Sequence, residues 1–230
     1  PKDVQEEAQK ISFTVTDDAD RLDLRHQEMI TIDGEDAKDL DDAVHAKVLD
    51  NGNIELGVHI ADVSHYVPAG SIIDQEAYRR GTSVYLVDRV IPMLPVELSN
   101  GICSLQAKED RYAMSCIMEV SPQGKVLRYS IKPSIIHITR RCSYKEIYLA
   151  LEENIIPDDL APLMAMVRTL ETLAYQLMKM RQQAGAISFE FPEYKVLLDG
   201  TGIPQRIIRK DRTIAEKLIE QCMLLANETV

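Results

Sequence analysis

A chain of 230 residues, 45% of them hydrophobic, suffices for one large domain or two small ones with a sizeable core. No apolar run approaches the ~20 residues of a membrane span, no secretory signal pattern opens the chain, and four scattered cysteines (Cys103, Cys116, Cys142, Cys222) without a Cys-x-x-Cys pair suggest neither a zinc site nor a disulfide framework, so a reduced, cytoplasmic setting fits best. The net charge of −11 is unpromising for a nucleic-acid binder, but residues 1–50 hold 15 acidic and six basic side chains and the other 180 residues carry only −2.

Residues 1–28 are polar and acidic and read as a leader or linker, with a short strand expected at Ile11–Val15. Then Asp33, Asp39, Asp41 and Asp42 fall within ten residues. Residues 42–49 and 54–60 read as two strands joined at Asp50-Asn51-Gly52-Asn53, with Ile54, Leu56, Val58 and Ile60 alternating onto one face. A helix is expected over about 72–80, capped by Ser71 and stopped by Gly81. A short strand follows at Val84–Val87, and residues 91–105 carry too many Pro and turn residues for long regular structure.

A second hairpin is expected from 111–120 and 125–138 around Ser-Pro-Gln-Gly. Ser143 and Glu146 form a capping box that opens a helix to about 152, and a long helix spans about 159–184 with Gly185 as its stop. A third hairpin covers 187–208, and Thr213 with Glu216 caps the last helix, which runs to the chain end without a Gly or Pro stop. That ending, and a start at Pro1, suggest a piece of a longer protein. Strands and helices mix without βαβ regularity, so the fold class is α+β, hairpin-rich mixed sheets packed by helices.

The chemistry concentrates in the four aspartates. Clustered carboxylates repel one another and need cations, and oxygen-only donors suit hard ions, Mg²⁺ or Mn²⁺. Two such ions about 3.5–4 Å apart are common machinery for phosphodiester hydrolysis. An acidic run is usually a solvated loop, but this one is punctuated by Ile32, Leu40, Ala43 and Val44, allows a tight turn at Gly34, and leads into a strand. In an extended strand Asp39 and Asp41 would face one side and Asp42 the other, so a bend or bulge is needed to converge them.

Six basic and no acidic residues lie from Lys125 to Lys145. They suit either a phosphate-facing stretch or a solvated strand face. His59, Asp62 and His65 lack metalloprotease spacing, which leaves His59 in a sheet and Asp62 capping a turn. Tyr85 and Tyr144 are either core or rim residues or platforms for stacked bases. Ser104 and Ser143 lie in no nucleophile elbow. On pattern alone Glu220 sits off the apolar stripe of the last helix, on a solvated face.

The run from Ile32 to Val44 resembles the signature of the ribonuclease II/ribonuclease R family, the RNB catalytic domain. Stretches 20–25, 58–64, 80–85, 91–95, 98–105 and 219–227 resemble the family in the same order, and Gly-Glu-Asp-Ala-Lys-Asp is most similar to the ribonuclease R branch. The resemblance implies that residues 29–230 are the larger, N-terminal part of an RNB-type domain. It implies a processive 3′→5′ exoribonuclease that uses Mg²⁺ to release nucleoside 5′-monophosphates from the 3′ end of single-stranded RNA. Asp33, Asp39, Asp41 and Asp42 would be the catalytic, metal-holding set, and Tyr85, Tyr144 and Glu220 would contact RNA, against the pattern-only reading of Glu220. A late arginine of the family, flanking cold-shock-type modules and a C-terminal RNA-binding barrel would lie beyond this stretch.

Overall fold

The computed structural model describes residues 1–12, 14–187 and 193–230, and of Lys210 the backbone only. In chain order the elements are α1 (Lys2–Ala8), β1 (Leu22–Asp23), β2 (Ile30–Asp33), β3 (Asp42–Val48), β4 (Ile54–Ala61), α2 (Val63–Tyr66), α3 (Ile72–Arg80), β5 (Val84–Tyr85) and β6 (Val90–Ile91). There follow β7 (Asp110–Val120), β8 (Val126–His137), β9 (Arg140–Ser143), α4 (Tyr144–Glu152), α5 (Met164–Gln183), β10 (Glu193–Leu198), β11 (Pro204–Lys210) and α6 (Ile214–Thr229).

Seven strands form one sheet in the order β1-β8-β7-β4-β3-β2-β9. Its centre is antiparallel, built from the two expected hairpins, while β1 on β8 and β9 on β2 are parallel. One face carries the alternation read from the sequence. Ile54, Leu56 and Val58 are buried, with Ile60 packed beside them, against Val167, Leu170 and Leu173 of α5 and Leu218 and Cys222 of α6. Burying each such side chain contributes about 1.5–3 kcal/mol. The helices therefore stack on this face, and α6 also reaches β2 and β4.

The caps follow local chemistry. Ser71 accepts from the Asp74 amide and Gly81 closes α3 at φ 74°, a left-handed conformation that suits glycine. Both capping boxes form, Ser143 with Glu146 and Thr213 with Glu216.

Several elements differ from the sequence reading. Residues 2–8 are helical, and Val4 and Ala8 are buried beside Tyr66 and Ile73. Residues 11, 12, 14 and 15 form no strand, and Phe13 lies outside the described residues. The expected strand Val84–Val87 is a short hairpin, β5 and β6, because the Leu86 amide donates to the Arg89 carbonyl. β2 and β9, which carry no long apolar alternation, are strands because they pair with each other. The third hairpin, expected over 187–208, is described from Glu193 onward; Ile187 forms no strand and 188–192 lie outside the described residues. No described helix is long and apolar enough to cross a membrane.

Candidate active site

The acidic run lies where β2 and β3 part. Their pairing is registered at Ile30 with Val44, after which β2 ends at Asp33 and β3 begins at Asp42. The intervening residues form a loop, so the strand alternation that would have sent Asp41 and Asp42 apart does not apply, and no bulge is required. Gly34 closes no strained turn, since its φ is not positive and a Cβ would meet nothing within 4 Å. The turn is held by other groups: the Gly34 amide donates to Asp33 Oδ1 at 2.6 Å and the Ala37 amide to the Gly34 carbonyl.

The far end of the loop is pinned from the irregular stretch 91–105. Buried Ser104 donates its hydroxyl to the Lys38 carbonyl at 2.7 Å and accepts from the Leu40 amide at 3.2 Å. The Leu40 carbonyl accepts from Leu105, and the Asp41 carbonyl accepts from the Ala61 amide of β4. Leu40, 3% exposed, serves as the apolar anchor between Asp39 and Asp41. Ser104 thus holds the loop in shape and is no nucleophile.

The carboxylates feel one another. Desolvation, then repulsion from Asp33 and Asp41, pushes Asp42 up to about 6. Asp41, at the solvent edge, is raised by desolvation and by Asp39 and Asp33. Asp42 Oδ2 is buried without a hydrogen-bond partner. Among the described residues no three acidic, His or Cys side chains are gathered into a ready-made cation cage. Like charges lacking a counter-ion hold apart. The all-oxygen donors and the orphaned Asp42 oxygen nevertheless fit a hard divalent cation.

Two of the three other candidate residues share this neighbourhood. Tyr85, on exposed β5, donates its hydroxyl to Asp39 Oδ2 at 3.2 Å. Tyr144 is the first residue of α4; burial pushes its phenol up to about 12, with Asp33 and Asp42 adding to the rise. Glu220 lies further out, on α6, where it pairs with Arg212 at 2.9 Å. Arg212 in turn lies close enough to Tyr144 to lower its phenol, and Glu216, one turn before Glu220 on α6, raises it. Glu220 is therefore half-exposed, as its pattern suggested, but on the side of α6 that borders the site.

The basic stretch resolves into individual partners. Arg128 pairs with Glu119, Arg140 with Glu146 and Asp159, and Lys145 with Glu35. Arg141 donates to backbone carbonyls of the acidic loop. Sequence reasoning singled out neither Arg141 nor Lys195, which pairs with Asp36 at 2.9 Å. Their targets are a turn's carbonyls and a residue 159 positions away, neither of which leaves a local signature. A cleft of about 410 Å³ adjoins the loop, lined among others by Tyr144, Tyr148, Lys145 and Lys195.

His59 and Asp62 are structural, as read. His59 is fully buried between His45 and Ser115, at 2.9 and 2.6 Å. Asp62 caps α2 and pairs with Arg21 at 2.8 Å.

Comparison with known proteins places these features in a wider set. The family model described as "RNB domain" matches residues 21–230. Ribonuclease R 1 of Lactococcus lactis is 49% identical across 100% of this chain and 28% of its own length. Ribonuclease R of Thermotoga maritima is 49% identical across 100% of this chain and 33% of its own. The structure of Mycoplasma genitalium RNase R in complex with ribose-methylated single-stranded RNA superposes with a TM-score of 0.94 at 33% identity, covering 100% of this chain and 36% of that one. The chain thus spans about a third of the length of the relatives it matches.

Proposed function

The chain belongs to the RNB domain family, and on that premise we propose that it is the catalytic part of a 3′→5′ exoribonuclease that hydrolyses single-stranded RNA processively to nucleoside 5′-monophosphates. The observation that carries this reading is the orphaned, desolvated Asp42 within mutual range of Asp33 and Asp41. The reading is further supported by relatives named ribonuclease R and by the RNA held in the Mycoplasma genitalium structure.

Asp33, Asp39, Asp41 and Asp42 would hold Mg²⁺, with Mn²⁺ as a substitute. When bound, such an ion supplies charge neutralisation at the phosphate and acidifies a coordinated water. Of the adjacent pair Asp41 and Asp42, each with two carboxylate oxygens, one would use an oxygen left over from the cation to orient the attacking water and accept its proton. The proton comes off the water to that carboxylate as the water oxygen bonds to phosphorus and the bond to the leaving 3′-oxygen breaks, and the 3′-oxygen takes up a proton from solvent to become the new 3′-hydroxyl.

Tyr85, 67% exposed, offers a face on which a base stacks, which tolerates any sequence. Tyr144 lines the cleft and Glu220 lies one turn along α6 from the cleft-lining Glu216, and both would contact RNA. Four buried, free cysteines suit a reducing cytoplasm. Cold-shock-type and C-terminal RNA-binding barrels in the complete protein would supply the basic surface this acidic stretch lacks.

The test is hydrolysis by Asp41→Asn in the complete protein. Retention of RNA binding with loss of cleavage supports the reading; turnover near that of the unaltered protein contradicts it.

A further inference from the structure

The loop between Asp33 and Asp39 is gathered around a single side chain. Arg141 Nη2 lies 3.2 Å from the Gly34 carbonyl oxygen, 3.0 Å from that of Glu35 and 2.8 Å from that of Ala37. Its two N–H bonds are shared among three acceptors, so the three carbonyls must converge on one point. A turn closed only by its own Ala37-to-Gly34 hydrogen bond would not require this. A charged donor makes the stronger kind of hydrogen bond, and a guanidinium presents its donors in a fixed plane.

The origin of the clamp matters as much as its grip. Arg141 sits on β9, which is registered in parallel with β2, Arg141 opposite Thr31 and Ser143 opposite Asp33. The strand pair that carries Asp33 therefore also carries the group that holds the following turn. Ser104 fixes the loop's other end at Lys38 and Leu40. Between these two anchors the path from Asp33 to Asp39 has little freedom.

We propose that Arg141 is a positioning residue for the cation site: by holding the carbonyls of Gly34, Glu35 and Ala37 at one point, it sets the spacing between Asp33 and the Asp39, Asp41 and Asp42 carboxylates. This rests on the reading of those aspartates as a cation site. Arg141 does not act on the RNA; its contacts are to backbone on the protein's own loop. Loss of the clamp lets like-charged carboxylates separate, which weakens cation binding and leaves RNA affinity unchanged. Groups that orient metal ligands typically carry about a 10–100-fold effect on metal affinity.

The experiment uses the complete protein with Arg141 unaltered, and as Arg141→Lys and Arg141→Ala. Mn²⁺ affinity is read from the spectrum of free Mn²⁺ by electron paramagnetic resonance, and hydrolysis is followed against Mg²⁺ concentration. The expected order of Mn²⁺ affinity is Arg, then Lys, then Ala, with Ala weaker by about tenfold or more. Lysine rescues in part because its ammonium also offers three donors to the carbonyls. Turnover by Arg141→Ala returns toward the unaltered rate at high Mg²⁺, with KM for RNA unchanged. Equal Mn²⁺ affinity in the three proteins, or a raised KM for RNA that Mg²⁺ does not relieve, overturns the proposal while leaving the exoribonuclease reading intact. Absence of Mn²⁺ binding by the unaltered protein overturns both. Arg141 is exposed, so the fold is expected to persist; if Arg141→Ala fails to fold, the comparison of Arg with Lys decides.

Discussion

Asp33 stands opposite Ser143 in the parallel pairing of β2 with β9, and Ser143 is the cap of the helix that begins at Tyr144. One register thus delivers both a carboxylate and the phenol beside it, from positions 111 residues apart in the chain. A slip of one residue in this pairing would turn Asp33 to the opposite face of the sheet.

The loss of one charge among the crowded carboxylates should be decisive. Asp41→Asn keeps the shape of the side chain and removes a charged donor. Cleavage of single-stranded RNA is expected to fall by about a thousandfold or more, since cation-assisted steps supply several kcal/mol of transition-state stabilisation. Equilibrium binding of RNA should change by less than about threefold. Parallel gel assays of cleavage and filter binding separate the two effects.

Asp42 makes a prediction about pH. Its folded value, about 6, lies above the ordinary 3.8, so the folded chain holds the extra proton between the two. The contribution of Asp42 is favourable at low pH and turns against the fold as pH rises through that window, by about 3 kcal/mol. A cation that replaces the proton reverses this loss. Thermal stability without metal should therefore fall between about pH 4 and 6 relative to Asp42→Asn, and added Mg²⁺ should stabilise more at about pH 7.5 than at about pH 5. Equal stabilisation by Mg²⁺ at both values would rule the account out.

Much of this was legible in the sequence, and the exceptions share a cause. The two central hairpins, α3 between Ser71 and Gly81, and the capping boxes at Ser143 and Thr213 are set by contacts within a few residues, so local pattern finds them. β1, β2 and β9 are two or four residues long and exist because of parallel partners far along the chain. The acidic run announced a site, and of the bend or bulge expected to converge its carboxylates the chain takes the bend, leaving the strand between Asp33 and Asp42. The hydroxyl of Ser104 and the guanidinium of Arg141 act on backbone carbonyls, which have no identity in a sequence.

Tyr85 separates stacking from hydrogen bonding. Tyr85→Phe loses only the 3.2 Å bond to Asp39, while Tyr85→Ala also loses the ring. Stacking of a base on an aromatic ring is worth about 1–3 kcal/mol. The alanine variant should bind short RNAs more weakly by about tenfold or more, and the phenylalanine variant by about twofold or less. Similar losses in both, measured by fluorescence anisotropy, would place the effect in the hydrogen bond.

Gly57 tests the sheet independently of the chemistry. A Cβ there would lie 2.1 Å from His45 Cε1 and 2.8 Å from His59 Nε2, two rings buried and hydrogen-bonded to each other at 2.9 Å. Gly57→Ala must displace both, at a cost of about 1–3 kcal/mol or more. The urea midpoint should fall while the slope of the transition stays constant. An unchanged midpoint would mean that the histidine pair yields freely.

If the four aspartates hold a catalytic cation, hydrolysis running from the 3′ end depends on that cation. A 5′-labelled single-stranded RNA incubated with the complete protein, in Mg²⁺ and separately in EDTA, tests it directly on a sequencing gel. A ladder shortening one nucleotide at a time in Mg²⁺ and intact RNA in EDTA are expected. RNA that remains bound but uncut in Mg²⁺, or is cut equally in EDTA, would contradict it.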